Sequence, residues 1–587
     1  MLKKKDYILI FLLTLIYSVI ALFNLGTTKV PESFWKPKVL GETFYVDLGE
    51  DKELEKISYF VGLGDGTYNV SFSTDKVNWQ HRTAMDQHKI FRWTTVDVDT
   101  KARYVKFTVI KPDGMLNEIG IFAKGEDKPL PIVELIEEKV SEKGQGSPQL
   151  VFDEQQYVQK ERSFLTGMYF DELYHGRTAY EMLYKLEHYE WTHPPLGKIF
   201  IALGVAIFGM NPFGWRIIGT LFGIAMIPCI YILGKRLFKR TGFAFLTAFL
   251  LTFDFMHFTQ TRIATVDGYA VFFIILMYYF MLKFIETKPS KAGLKKSITA
   301  LGLSGLFFAL GAATKWICIY AAVGLAILFF KEIYDRYKEY KKAVEYLKLE
   351  IAEENMDEYE ACSNIKANFK KQTVKTIGWA VLFFIVIPVT VYIASYIPFM
   401  MIPGPGHGLI DVFKVQVRMF SYHNELVATH PYASPWYEWP IILRPMWYYY
   451  GKDYLPAGKM SSIVAMGNPA VWWLGSLAFI AVIIIGLKKK DKVAFFIVLG
   501  GLSNYLPWVM VSRITFIYHF FASVPFIILS IVYVAAHLYE KKKSRRYYIY
   551  GYMVLVVALF ILFYPTISGT VVNESYGFGF LKMFEGW

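Results

Sequence analysis

Apolar runs of bilayer length constrain this chain more than any other feature. A stretch from Ile8 to Leu25 follows Lys3-Lys4-Lys5, and further runs cover about 212–234, 242–257, 266–285, 298–313, 316–330, 374–398, 470–487, 493–510, 517–538 and 547–565. A helix needs roughly 20 apolar residues to cross the hydrocarbon core, so the pattern predicts a polytopic α-helical membrane protein of about eleven crossings. Several runs are barely long enough, and about ten or twelve crossings fit as well. The first run is too long for a signal-peptide core and lacks a small-x-small cleavage site. Residues 1–26 therefore read as a retained first transmembrane helix.

Basic clusters punctuate these runs at Lys3–Lys5, Lys235/Arg236/Lys239/Arg240, Lys283 through Lys296, Lys331 through Lys375, Lys488–Lys490 and Lys541–Arg546. With eleven crossings every cluster falls on the N-terminal side and the tail from about Ser568 on the other. Basic loops stay cytoplasmic, which predicts a plasma-membrane protein with its N-terminus inside and its C-terminus outside. The excess of 63 Lys plus Arg over 50 Asp plus Glu thus reports topology, not a nucleic-acid partner. Three cysteines, Cys229, Cys318 and Cys362, are too few for a disulfide scaffold. An apolar content of 54% excludes a disordered chain.

Two regions break the membrane pattern. In 27–160, Tyr68-Asn-Val-Ser-Phe-Ser, Ala102-Arg-Tyr-Val-Lys-Phe-Thr-Val-Ile and Leu116-Asn-Glu-Ile-Gly-Ile-Phe alternate, with a turn signal at Thr74-Asp75-Lys76. They predict an extracytoplasmic β-sandwich inserted after the first helix. Residues 331–373 are rich in Lys, Glu and Tyr without Pro or Gly, and predict a cytoplasmic helical connector. It separates an N-terminal membrane half, 161–330, from a C-terminal half, 374–587, with a long outer loop at 399–469.

Under this topology the ionisable groups of the membrane part gather at the outer face, where a reacting centre is expected. Asp171 and Glu172 precede an amphipathic stretch; such a pair suits a general base for a hydroxyl or a helix N-cap. His193-Pro194-Pro195 fixes a turn before the short apolar helix 196–208, with Lys198 inside it. Arg216 either snorkels to headgroups or pairs with a phosphate or with the acidic pair. Arg262 and Asp267 lie between two crossings, and Asp267 suits a helix cap. Arg513 and His519, flanked by Trp508 and Tyr518, suit a phosphate at membrane depth. Glu172, His175, His188 and His193 lack compact ligand spacing, and no metal is expected. Polar groups at one face, without an inverted repeat, argue against a transporter or flippase.

Phe170-Asp-Glu-Leu-Tyr-His, Thr192-His-Pro-Pro-Leu-Gly-Lys198, Trp215-Arg216 and Phe253-Asp-Phe-Met-His-Phe-Thr-Gln-Thr-Arg-Ile-Ala-Thr-Val-Asp267 resemble, in order, motifs of the protein O-mannosyltransferase family. Ser434-Pro-Trp-Tyr-Glu-Trp-Pro-Ile-Ile-Leu-Arg-Pro and Leu506-Pro-Trp with Phe516-Ile-Tyr-His519 extend the likeness to the second half. The resemblance covers about 160–587, in a bacterial form whose outer loop is too short for the β-trefoil repeats of eukaryotic members. It implies the GT-C fold, polyprenyl-phosphate mannose as donor, and a Ser or Thr hydroxyl of an exported protein as acceptor. Inversion and use of no cofactor follow, with the translocation machinery as a further partner. Asp171 and Glu172 match the family's catalytic acidic pair, Arg216 its arginine, and Tyr518-His519 its late Tyr-His. Arg216, Arg513, Tyr518 and His519 are expected at the donor phosphate or lipid carrier, with His193, Lys198, Arg262 and Asp267 supporting. A related enzyme moving another lipid-linked sugar to a lipid or envelope glycan is the alternative. The run from Tyr68 to Trp79 with Ala102-Arg-Tyr-Val-Lys also resembles discoidin-type jelly-roll domains, implying a carbohydrate ligand or a rigid spacer.

Overall fold

The computed structural model describes residues 2–86, 89–289, 293–349, 355–582 and 587. Parts of two expected features, the basic cluster at 283–296 and the connector at 331–373, lie outside the described residues at 290–292 and 350–354.

Every apolar run expected to cross forms helix. The helices relevant to the site are α1 (Lys4–Leu22), α2 (Glu172–Leu183), α3 (Leu196–Phe208), α4 (Pro212–Phe238), α5 (Thr241–Thr252), α6 (Phe255–Thr261), α7 (Asp267–Glu286) and α8 (Leu294–Ala312). They continue as α9 (Ile317–Tyr346), α10 (Met356–Ala394), α11 (Leu409–Glu425), α12 (Pro469–Lys489), α13 (Lys492–Tyr505), α14 (Val524–Lys541) and α15 (Arg546–Ser568). Among the described residues nine helices are long and apolar enough to span, or ten if α5 and α6, bent by 58°, form one crossing. The expected eleven counts α8 as a further crossing. The difference is α8, which opens on Leu-Lys-Lys and carries Ser297, Thr299, Ser304 and three glycines, so its hydropathy is too low. It nonetheless packs along α7 and brings Lys315 back to Asp267. On both sides of 350–354 the connector is helical, continuing α9 and α10.

The segment after α1 forms six antiparallel strands: β1 (Thr43–Val61), β2 (Thr67–Ser73), β3 (Gln80–Asp86), β4 (Arg92–Lys111), β5 (Leu116–Ala123) and β6 (Glu134–Lys139). They make one hydrogen-bonded sheet in the order β3-β2-β4-β1-β5, with β6 also on β1. The expected sandwich is met as an antiparallel sheet region in which β1 and β4 run long and take different partners along their length. The register slips between Asp47 and Lys52 at Gly49, whose φ of +85° favours glycine, and again between Leu54 and Lys56. One half of β1 then pairs β6 and the other pairs β5. Phe44, Val46, Ile57, Tyr68, Phe107 and Ile121 fill its core. A second apolar cluster joins Phe60, Phe91 and Trp93 of the sheet to Met168, Ala179 of α2, Ile201 of α3 and Trp215 of α4. The sheet therefore braces the elements that carry the acidic pair.

Candidate active site

Phe170 adopts a left-handed backbone, φ 48°, directly before Asp171. An aromatic residue pays steric strain there, and such strain concentrates where a neighbour must be aimed. Asp171 occupies the N-cap of α2, but its carboxylate caps nothing. Only its backbone carbonyl accepts, from Tyr174 and His175. Among the described residues the Asp171 carboxylate has no hydrogen-bond or ion-pair partner. The capping alternative thus fails for its side chain.

Glu172 is the opposite. Its carboxylate, fully buried, takes Nε and Nη2 of Arg216 at 2.7 Å each, the backbone N–H of Ala264 at 3.2 Å and that of Tyr169 at 3.3 Å. Arg216 completes its set on the carbonyls of Leu25 (2.8 Å) and Gly167 (3.0 Å). That fork and the two carbonyls take four of the five Arg216 N–H donors and leave one on Nη1, so the expected pairing with the acidic pair is what the geometry displays. The fork also leaves Glu172 unavailable to a metal. Arg262 is engaged in the same way, donating to the carbonyls of Ala21, Phe23 and Asn24 at the end of α1. These carbonyls lack helical partners, and a cation there suits the helix dipole. Arg262 supports the site by tying α1 to the α6–α7 turn.

Around Asp171 stand Asp267, Lys315, Tyr448 and Tyr518. Lys315 Nζ pairs with Asp267 Oδ1 at 2.7 Å and lies 5.9 Å from the centre of the Tyr518 ring. Phe170 stacks on Tyr448 at 4.2 Å, and Tyr448 donates to Gln260 at 2.7 Å. Burial, then the charge of Asp267, pushes the Asp171 carboxyl up to about 7, with Lys315 opposing. Arg216 faces Glu172, and the cation acting on Asp171 is the Lys315 ammonium.

Glu190, which the sequence reading passed over, is a hub on the other side. Its carboxylate holds the Lys198 ammonium, the Thr192 hydroxyl and His193 Nδ1 (3.1 Å), and lies 3.9 Å from His175 Nδ1. Lys198 also donates to the carbonyls of Glu190 (2.8 Å) and His193 (2.9 Å). Burial pushes the Glu190 carboxyl upward, but the charges of Lys198 and His193 outweigh it and hold it well below the usual range. Burial drives His175 down to about 3 and lowers His193 against the pull of Glu190. The readable signal was an acid placed three residues before His193 and eight before Lys198. Lys198 and His193 thus meet in one cluster, and His423 joins it by bonding the Thr192 carbonyl at 2.8 Å.

His519 is buried between Trp439, stacked at 5.9 Å, and Trp508, at 4.3 Å, with Nδ1 at the Phe516 backbone. Trp439 is itself fixed by its indole N–H on Ser434. Arg513 is half-buried and, among the described residues, makes no ion pair or hydrogen bond. Burial lowers its pKa, while Tyr518, Tyr422 and Tyr320 oppose. Among the described residues Arg513, the Tyr518 hydroxyl and His519 Nε2 keep free polar groups, and of these Arg513 is the cation.

Two family models match the chain. The one described as dolichyl-phosphate-mannose-protein mannosyltransferase covers residues 192–351, and the C-terminal four-transmembrane region of protein-O-mannosyltransferase covers 409–587. The chain is similar to the polyprenol-phosphate-mannose–protein mannosyltransferase of Mycobacterium tuberculosis H37Rv, 23% identical over 433 residues, which are 65% of this chain and 78% of that protein. The Corynebacterium glutamicum protein of the same name is 21% identical over 449 residues, covering 67% and 81%. A protein O-mannosyltransferase complex of S. cerevisiae bound to the sugar donor shares the fold, with a TM-score of 0.56 at 12% identity over 68% of this chain and 86% of that one. Fold and matches define a multi-pass membrane hexosyltransferase with a GT-C-like architecture. The chain belongs to the protein O-mannosyltransferase family.

Proposed function

We propose that this protein transfers mannose from a polyprenyl-phosphate carrier to Ser or Thr hydroxyls of exported proteins at the extracytoplasmic membrane face. The observation that carries this reading is the division of labour in the acidic pair. Glu172 is locked by Arg216, while Asp171 is an unpartnered carboxylate raised to about 7. A carboxyl in that range is matched to accepting a hydroxyl proton near neutral pH. As Asp171 takes that proton, the acceptor oxygen forms its bond to the anomeric carbon. The carbon–oxygen bond to phosphate breaks on the opposite face, with inversion, and polyprenyl phosphate leaves with the electron pair. That leaving group is anionic, so it needs a preorganised cation more than an acid. Arg513 is assigned that role, with Tyr518 and His519 shaping the wall and Asp267–Lys315 setting the charge at Asp171. The basic clusters orient the N-terminus to the cytoplasm. The strand domain we assign as a spacer bracing α2 and α3, with its Tyr45–Trp79 face, 5.6 Å between ring centres, suited to a carbohydrate.

The test is transfer in vitro from radiolabelled polyprenyl-phosphate mannose to a panel of peptides, lipids and glycans by the purified protein. Label on Ser or Thr of peptides is the expected result. Label only on lipid or glycan acceptors would replace the reading with that of an envelope-glycan enzyme.

A further inference from the structure

Beside the reacting centre lies a cavity of about 500 Å³, within the roughly 300–1,000 Å³ typical of ligand sites. One wall is the Glu190–His193–Lys198 cluster. The opposite wall is α11, from which Arg418 reaches over the Trp191 ring at 3.8 Å. The other face of α11 exposes Leu409, Ile410, Phe413, Val417 and Phe420, as an interfacial helix does. The cavity is thus walled by segments outside the spanning helices, at the level where an aqueous substrate meets the membrane surface.

Its Arg and Lys side chains are paired with one exception. Arg177 pairs with Glu181, Lys198 with Glu190 and Glu187 with His407. Arg418 has no carboxylate partner or hydrogen bond among the described residues. Its guanidinium is oriented by Trp191, with its edge donors free.

We propose that this cavity receives the acceptor polypeptide flanking the hydroxyl residue, and that Arg418 selects acceptors carrying Asp or Glu near it. The inference rests on the function proposed above. It goes further by assigning the acceptor site and its charge preference. A polypeptide fits better than the lipid carrier, whose chain needs apolar walls between crossings, whereas this lining mixes charged and aromatic side chains with Met182, Pro195 and Val415 outside the spanning helices.

The test uses the full-length protein, polyprenyl-phosphate mannose and three Thr peptides identical except for Asp, Gln or Lys three residues from the Thr. Wild type is expected to favour Asp over Lys by roughly three- to tenfold in kcat/KM, less at high salt. Arg418→Glu is expected to reverse the order, and Arg418→Gln to level it. Equal transfer to all three peptides by wild type would overturn this inference and leave the proposed function standing. So would variants that keep the preference but raise the donor KM, which would make Arg418 a carrier-phosphate contact. No transfer to any peptide would overturn both.

Discussion

Arg216 grips Glu172 through two parallel hydrogen bonds of 2.7 Å, both groups being inaccessible to solvent, while the neighbouring Asp171 carboxylate has no partner among the described residues. An isolated charge at this depth is costly, and a bidentate pair with its remaining groups satisfied is the arrangement that offsets desolvation. The pair fixes the chain on both sides of the reacting acid, because Arg216 also holds the Gly167 and Leu25 carbonyls. One acid of the pair is architecture, and the other keeps its carboxylate without a partner among the described residues.

Breaking the clamp should therefore unfold the site. Glu172→Gln or Arg216→Met strands a buried charge and is expected to cost about 3–5 kcal/mol. Thermal unfolding in detergent should show each single variant strongly destabilised. The double variant Glu172→Gln/Arg216→Met should recover a substantial part of the loss. Additive losses would show that the two groups do not act as a unit.

Asp171 predicts the reverse pattern, with activity lost and the fold retained. Asp171→Asn should lower kcat by roughly 10²–10⁴ with little change in melting temperature. Near-normal turnover would remove Asp171 from the base role.

The pH profile follows from its surroundings. The base must be deprotonated, so kcat/KM should rise with pH about a midpoint near 7. Asp267 raises that midpoint and Lys315 lowers it. Asp267→Asn should shift the profile to lower pH and Lys315→Met to higher pH. A profile that ignores both substitutions would mean that another group titrates.

Glu190 carries a separate prediction. It supplies the carboxylate for the buried Lys198 ammonium and holds His193 in place. Glu190→Gln leaves that ammonium facing only carbonyls and should cost about 3–5 kcal/mol. Lys198→Met in the Glu190→Gln background should restore stability without restoring full turnover, since His193 stays unanchored. Recovery of both together would reduce Glu190 to a plain counter-ion.

How far the sequence carried these conclusions differs by residue. Asp171 and Glu172 were visible as a pair, since two adjacent acids ahead of an amphipathic stretch stand out. Which of them stays free depends on where Arg216 points, 44 residues later, and spacing does not encode that. Arg216 read as a partner of headgroups, of a phosphate or of the acidic pair, and Arg262 only as a supporting residue between two crossings. Only the fold brings the Leu25, Gly167, Ala21 and Phe23 carbonyls within their reach. Glu190 was passed over because no element boundary or acidic partner marks it. In the strand domain the alternation of β2, β4 and β5 was legible. The full length of β1 was not, because Gly49-Glu-Asp-Lys52 breaks the alternation as a turn would, while the strand merely bends there. The run at 298–313 is barely long enough to span, and Ser304 and three glycines lower the hydropathy of the helix that contains it.

Glu118 offers a last test, independent of catalysis. It is buried on β5, accepts from Gln155 and from the Glu154 backbone N–H (3.2 Å), and lies close to Asp153 and Glu154. Burial, reinforced by those two charges and opposed by the two hydrogen bonds, raises its carboxyl from 4.5 to about 8. The native state therefore keeps a proton that the unfolded chain has released. Its contribution is full below about pH 4.5 and is lost as pH rises through about 8. Stability should accordingly decline across that window, and the strap at 153–157 that joins the sheet to the membrane part should loosen. Glu118→Gln, which stays neutral, should flatten the decline and exceed wild type at pH 9 by about 1–3 kcal/mol. Thermal unfolding of both proteins at pH 5, 7 and 9 measures the difference. Parallel slopes would show that Glu118 ionises freely, and that the decline has its origin in other groups.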